Sequence, residues 1–211
     1  MGSNKLGTRE KIIRTAVKLI AQQGPDGVSL NEIVRQSGQR NASALQYHFG
    51  GKSGLIQAIF DHFRPAIEAR RQQMIEERLN SQSGATLNIN DIASLVVVPL
   101  AEQLDNPEGG RDYLRFAASM HNHVLDPNLR QEDSKGINAL RSILTSRSGG
   151  MPEHIITSRR GIGKSLLLYG LSDYCRLCES DPEYDALQRA DLIATLTSAF
   201  CSILTAPSQS I

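Results

Sequence analysis

Tryptophan is absent from this 211-residue sequence, and aromatic residues of any kind make up only 5% of it. Runs of Val, Ile and Thr are sparse too, whereas Ala, Leu, Ile, Gln and Arg are frequent, a composition that favours helices over sheet. The sequence therefore predicts an all-α protein. Its three cysteines (Cys175, Cys178 and Cys201) are too few, and odd in number, for the even, dense framework of a small secreted domain, and suit a reducing compartment. Long apolar runs are missing as well: the longest, Ile92 to Leu100, is interrupted by Ser94 and Pro99 and is too short to span a bilayer. With no apolar signal core at the N-terminus, the expectation is a soluble, cytoplasmic protein with no membrane partner.

What is present is distributed unevenly. The formal net charge of +1 conceals a basic first part, since residues 1–65 hold nine Lys/Arg against four Asp/Glu and the remainder fourteen against eighteen. The basic end is the place to seek a polyanion.

Thr8 can cap a first helix in which Ile12, Ile13, Ala16, Val17 and Ile20 recur at helical spacing, while Arg9, Lys11, Arg14 and Lys18 occupy other faces. Gly24-Pro25 ends it. Ser29-Leu30-Asn31-Glu32 matches a capping box that opens a second helix of about two turns. Ser37-Gly38 breaks that helix, and residues 41–49 can form a third, closed by Gly50-Gly51. A fourth starts near Lys52-Ser53, carries Leu55, Ile56, Ile59, Phe60 and Phe63, and can be kinked by Pro65. Polar residues from 80 to 90 read as a connection. Further helices are predicted over 90–105, 111–124, 127–147, 153–179 and 184–205, separated by Gly- and Pro-bearing breaks.

Two short helices joined by a glycine-containing turn are the layout of a helix-turn-helix, whose second helix enters the major groove of DNA. The residue types there suit base and phosphate contacts. Arg40 can reach guanine acceptors or a phosphate, Asn41 and Gln46 can pair with adenine, Ser43 can bond either bases or backbone, and Ala44 can touch a thymine methyl. Gln39, in the turn, belongs to the same candidate surface. Ala42 and Leu45 would instead hold the helix against its neighbours. For Tyr47, Phe49 and Leu45 taken singly, core packing and contact stand as equal alternatives, and residues 8–63 can also be read as a plain bundle with a solvated basic face.

The segment from Gly38 to Leu55, GQRNASALQYHFGGKSGL, resembles the recognition helix of the TetR family of transcriptional regulators, with its Tyr-His-Phe ending and the start of the fourth helix. The resemblance reaches upstream through the first helix, Gly24 and Val28, and covers roughly the first quarter of the chain. The spacing from the turn glycine to Tyr-His-Phe is that of a subgroup with one extra residue. The resemblance implies that Tyr47 and His48 lie near phosphates and that Lys52 contacts the DNA backbone, in keeping with the preference of helix N-termini and ammonium groups for phosphate. Thr8 and Ser29 are further phosphate candidates. It also implies a helix-turn-helix domain over 1–52 and a helical ligand-binding and dimerisation domain over 53–211.

In that second domain the last two long helices would pair with their copies across a twofold axis, using Ile155, Ile162, Leu166, Tyr169 and Leu177 on one, and Leu187, Leu192, Leu196, Phe200 and Ile203 on the other. The same residues could form an intramolecular core. Candidate linings for a small-molecule effector are Tyr113, Phe116, Met120, His121, Leu140, Leu168 and Tyr174, apolar walls with a few hydrogen-bonding tips. The function so implied is a repressor that binds a pseudo-palindromic operator in double-stranded DNA as a homodimer and is released by a ligand. The alternatives are a helical small-molecule-binding protein without specific DNA binding, and an enzyme.

Signals for catalysis, cofactor or metal are weak. Gly161-Ile162-Gly163-Lys164-Ser165 is like the end of a phosphate-binding loop, but Ser158 stands where that motif needs its first glycine. Small residues at a helix crossing explain it better. Cys175 and Cys178 form a single Cys-x-x-Cys without the second pair of a zinc site, and His121 and His123 point to different sides of a helix. No enzyme, cofactor or metal is expected.

Overall fold

The computed structural model describes residues 7–39, 43–81, 87–121, 123, 135–147 and 151–207. Every regular element among them is helical: α1 (Thr8–Gln23), α2 (Leu30–Gln36), α3 (Ser43–Phe49), α4 (Lys52–Ser81), α5 (Ile89–Ala101) followed by a 3-10 turn (Glu102–Asp105), α6 (Gly110–His121), α7 (Lys135–Arg147), α8 (Glu153–Ser180) and α9 (Pro182–Thr205). The all-α expectation is met. No helix among the described residues is long and apolar enough to cross a membrane.

The chain packs as two units, one of residues 1–65 with 105–131, the other of residues 66–104 with 132–211. Packing thus divides α4 at Pro65 and places α6 with the N-terminal helices. Pro65 lies inside α4 without ending it. A proline there removes the helix donor to residue 61 and its ring crowds that carbonyl, a local cost that the packing on either side of exposed Pro65 outweighs.

In the first unit, Ile12, Ile13, Ala16, Val17, Leu19 and Ile20 of α1 are all buried, and α1 packs on α6 and α2. Phe60 and Phe63 of α4 meet Tyr113 and Phe116 of α6, with Phe63 and Tyr113 stacked at 4.5 Å between centroids and Phe60 to Phe116 at 5.1 Å. Arg14 is fixed between Glu10, at 3.1 Å, and Glu108.

In the second unit α9 packs against both α5 and α8. Gly163 of α8 makes that crossing possible: a Cβ there would stand 2.6 Å from Phe200 Cε2. The small-residue explanation of the Gly161–Ser165 segment is therefore correct for Gly163. A buried polar network ties three further elements together. Arg71, only 6% exposed, pairs with Glu68 and donates from Nε to the Leu95 carbonyl of α5 at 2.9 Å, while Glu68 accepts the Gly136 N–H of α7 at 2.7 Å.

Several helix ends differ from the sequence expectation. Thr8 does not cap α1; Gly7 holds the N-cap position without a side-chain bond, and Thr8 is the first helical residue. Ser29 accepts the Glu32 N–H at 3.1 Å, but the Glu32 carboxylate accepts from Gln36 Nε2 at 3.0 Å, so one half of the expected box forms. The full reciprocal box is at Asn88 and Asp91, opening α5, in a stretch the sequence presented as connector. Helix α9 begins at Pro182 rather than 184, because Asp181 accepts the Glu183 N–H at 3.0 Å and proline suits the first helical position. Residues 127–134, expected as helix, lie outside the described residues.

Candidate nucleic-acid interface

Helix α2 packs on α1, and α3 on α2. Ile33 and Val34 of α2 and Leu45 of α3 are buried with Ile12, Val17, Leu55 and Ile59. Between α2 and α3 the chain turns at Gly38, whose φ of 74° lies in the left-handed region that side chains with a Cβ avoid. The Gly38 N–H donates to Arg35 O at 3.2 Å and the Gln39 N–H to Val34 O at 3.1 Å, so the last carbonyls of α2 are satisfied without a longer loop. The buried Ser37 hydroxyl adds a bond to Val34 O at 2.8 Å.

Helix α3 has two sharply different faces. Leu45 is 2% exposed and fixes the inner one. Ser43, Gln46 and Tyr47 are all exposed, and positions three and four apart share a helix face, so they form one outward polar surface. Tyr47 is 86% exposed, an unusual placement for a phenol that packing does not require. Its ring stands edge-on to His48 at 5.1 Å. The two alternatives for the aromatic segment are thereby separated: Leu45 is core and Tyr47 is surface, with His48 and Phe49 half-buried.

Gly50 and Gly51, with φ of 67° and 130°, turn the chain directly into α4. A Cβ on Gly54 would collide with the Phe49 carbonyl, so a glycine in the first turn of α4 is what lets that helix start hard against the end of α3. The first residue of α4 is Lys52, which is half-buried. Gly54 is a positioning feature that sequence reading passed over, and only its close approach to Phe49 distinguishes it from an ordinary helical glycine.

The other expected contacts take varied positions. Thr8 and Ser29 are exposed; the Ser29 oxygen accepts from Glu32 N–H, and its own O–H can still donate. Gln39 is half-buried, with Nε2 3.5 Å from Ser37 O. Gln46 Nε2 donates weakly to Gly50 O at 3.4 Å. Arg40 and Asn41, and the side chain of Ala44, lie outside the described residues. Arg9, Lys11, Lys18 and Arg35 are exposed in the same unit, which localises the positive charge read from the sequence.

The candidate effector residues divide between the units. Tyr113, Phe116 and Met120 are buried in the first, where His121 is half-buried at the end of α6, while Leu140, Leu168 and Tyr174 are buried in the second. His123 Nδ1 stands 3.5 Å from Asp26 of the α1–α2 connection. Cys175 and Cys178 are buried one turn apart on α8, and the three cysteines form no disulfide. Among the described residues no group of three His, Cys, Asp or Glu side chains is arranged to hold a metal ion.

On α8 the residues expected at a dimer face are outward. Ile162 is 58% exposed and Leu177 45%, with Leu166 and Tyr169 also exposed, and all four fall on one side of the helix. On α9, Leu196 and Phe200 are instead buried, packing against α8 at Gly170 and Gly163. The side chain of Leu187 lies outside the described residues.

Comparison with known proteins agrees with this geometry. The family profile described as "Bacterial regulatory proteins, tetR family" matches residues 12–59. The "Probable HTH-type transcriptional regulator YttP" of Bacillus subtilis (strain 168) is 39% identical over 59 residues, 28% of this chain and 28% of that protein. The match thus spans under a third of the relative's length. A crystal structure described as a tetR family transcription regulator from Shewanella sp. PV-4 has the same fold, with a TM-score of 0.53 and 18% identity over 92% of this chain and 98% of that one.

Proposed function

We propose that this chain, whose residues 12–59 match the tetR family profile, is a TetR-like transcriptional regulator that binds a pseudo-palindromic operator as a homodimer and releases it on binding a small molecule. The observation that carries the reading is α3 itself: a seven-residue helix anchored by one buried leucine and presenting Ser43, Gln46 and Tyr47 to solvent. Solvation alone accounts for Ser43 and Gln46, but not for a phenol turned fully outward beside them, which a groove or phosphate contact explains.

The division of labour follows from chemistry. Gln46, with Arg40 and Asn41 at the start of the recognition segment, supplies the bidentate donors and acceptors that distinguish base edges. Tyr47, His48, Lys52, Thr8 and Ser29 bond phosphate oxygens, which fixes orientation without reading sequence. Dimerisation through the exposed α8 stripe, together with α9, sets two recognition helices about 34 to 36 Å apart or a multiple of it. An effector that prefers a different separation weakens operator binding by its differential affinity, typically about 1 to 3 kcal/mol. Within the second unit, Leu140, Leu168 and Tyr174 combine apolar side chains with one hydroxyl, a lining that suits a mainly apolar compound.

Selection from a random duplex library at fixed moderate salt tests the reading. Recovery of an inverted repeat bound by two protomers is the expected outcome. Arg40→Ala should alter base preference, and Lys52→Ala should weaken binding evenly across sequences and lower the salt dependence by about one phosphate contact. Failure to enrich any sequence would overturn specific DNA binding.

A further inference from the structure

We infer that Arg9 is a contact to the phosphate backbone of bound DNA and that Phe49 is the residue that positions it; this rests on the DNA-binding reading above. Arg9 lies in the first turn of α1 and is exposed. Its guanidinium carbon stands 5.4 Å from the centroid of the Phe49 ring, within cation–π range. Phe49 is the last residue of α3, and Lys52, three residues on, begins α4. The arginine is therefore carried by one helix but held at the end of another, the recognition helix.

Neighbouring charges leave this group available. No carboxylate stands within ion-pair distance of Arg9 among the described residues. The adjacent acid, Glu10, is taken by Arg14 at 3.1 Å, and Arg14 is pinned further by Glu108. Arg14 thus serves the fold. Arg64 lies 4.0 Å over Phe60, whose ring belongs to the buried α4–α6 aromatic cluster. Arg9 has the same kind of platform at the edge of the α3 polar face instead.

A cation–π contact with the ring does not use up the five N–H donors of the guanidinium, whose fork can take two phosphate oxygens at once. It also removes part of the rotamer entropy that an unrestrained arginine loses on binding. A phosphate contact carries no sequence information, so the Arg9–Phe49 pair contributes to affinity and register rather than to choice of operator.

The test uses the full chain, a labelled operator duplex recovered by selection, and a scrambled duplex of equal length, titrated between about 50 and 200 mM salt. Arg9→Gln should lower the slope of log affinity against log salt by about 0.9, shrinking the salt-induced loss over that range by roughly 3-fold. The ratio of operator to scrambled affinity should stay as in the wild type. Arg9→Lys should restore the slope while recovering only part of the affinity. Phe49→Leu should weaken binding with Arg9 present and add nothing in the Arg9→Gln background, a coupling that a double-mutant cycle measures.

An unchanged slope in Arg9→Gln overturns the inference even if affinity falls, and a lowered Tm in that case assigns Arg9 to the fold alone. If the wild type binds no duplex, the DNA reading falls and takes this one with it. A wild type that binds normally beside an Arg9→Gln variant of equal slope removes Arg9 only.

Discussion

Leu45 and Tyr47 stand two positions apart on one short helix, 2% and 86% exposed, and opposite consequences follow from their loss. Leu45→Ala empties a buried site on the inner face of α3, and should cost about 2–5 kcal/mol of stability in urea denaturation. Tyr47→Ala removes a solvated ring and should leave stability within about 0.5 kcal/mol while weakening operator binding. If Tyr47→Ala lowers stability as Leu45→Ala does, the phenol is part of the core after all. Sequence alone left these two residues with the same pair of alternatives, because an aromatic and an aliphatic side chain both satisfy a helical apolar pattern. Which one faced inward depended on how α3 packs on the rest of the unit.

The crossing of α8 and α9 shows how a single position decides whether two helices can approach. Gly163 lies under Phe200, whereas Gly161, two residues earlier, has open space around it. Alanine is favoured over glycine in a helix by about 1 kcal/mol, so Gly161→Ala should stabilise the protein by that order. Gly163→Ala should be net destabilising, since the added methyl forces Phe200 aside at a cost of about 1–3 kcal/mol. Phe200→Leu should relieve most of that penalty, and thermal unfolding of the two single variants and the double one gives the coupling. Additive losses would show that the Gly163–Phe200 contact is not the cause. The Glu68–Arg71 pair works on the same scale by a different means. Its hydrogen bonds to Leu95 O and Gly136 N–H tie α4 to α5 and α7 through groups that burial forces to be satisfied.

At the scale of the whole molecule, the proposed homodimer rests on the exposed stripe of Ile162, Leu166, Tyr169 and Leu177. Replacing Ile162 and Leu166 together with Glu should yield a folded monomer in sedimentation, with helicity by circular dichroism retained. Operator affinity should fall by far more than any single phosphate contact provides, because each half-site then binds alone. A double variant that remains dimeric would place the interface elsewhere. The basic N-terminal part and the acidic remainder also predict that operator binding weakens steeply with salt, as phosphate-dominated association does.

The sequence by itself determined the helical class and most of the breaks between helices, since these depend on local chemistry: apolar spacing at 3.6 residues and glycine at positive φ. It also determined the helix-turn-helix, whose buried positions, turn glycine and polar face all lie within some fifty residues. The tertiary structure alone decided what depended on residues far apart in the chain. Arg9 meets Phe49 forty positions away, Arg71 bonds Leu95 and Glu68 bonds Gly136 across helices, and α6 joins the N-terminal unit through Tyr113 and Phe116 against Phe60 and Phe63. No periodic pattern encodes such pairings, because they arise where two helix faces meet, and each face is compatible with several partners until the chain has packed.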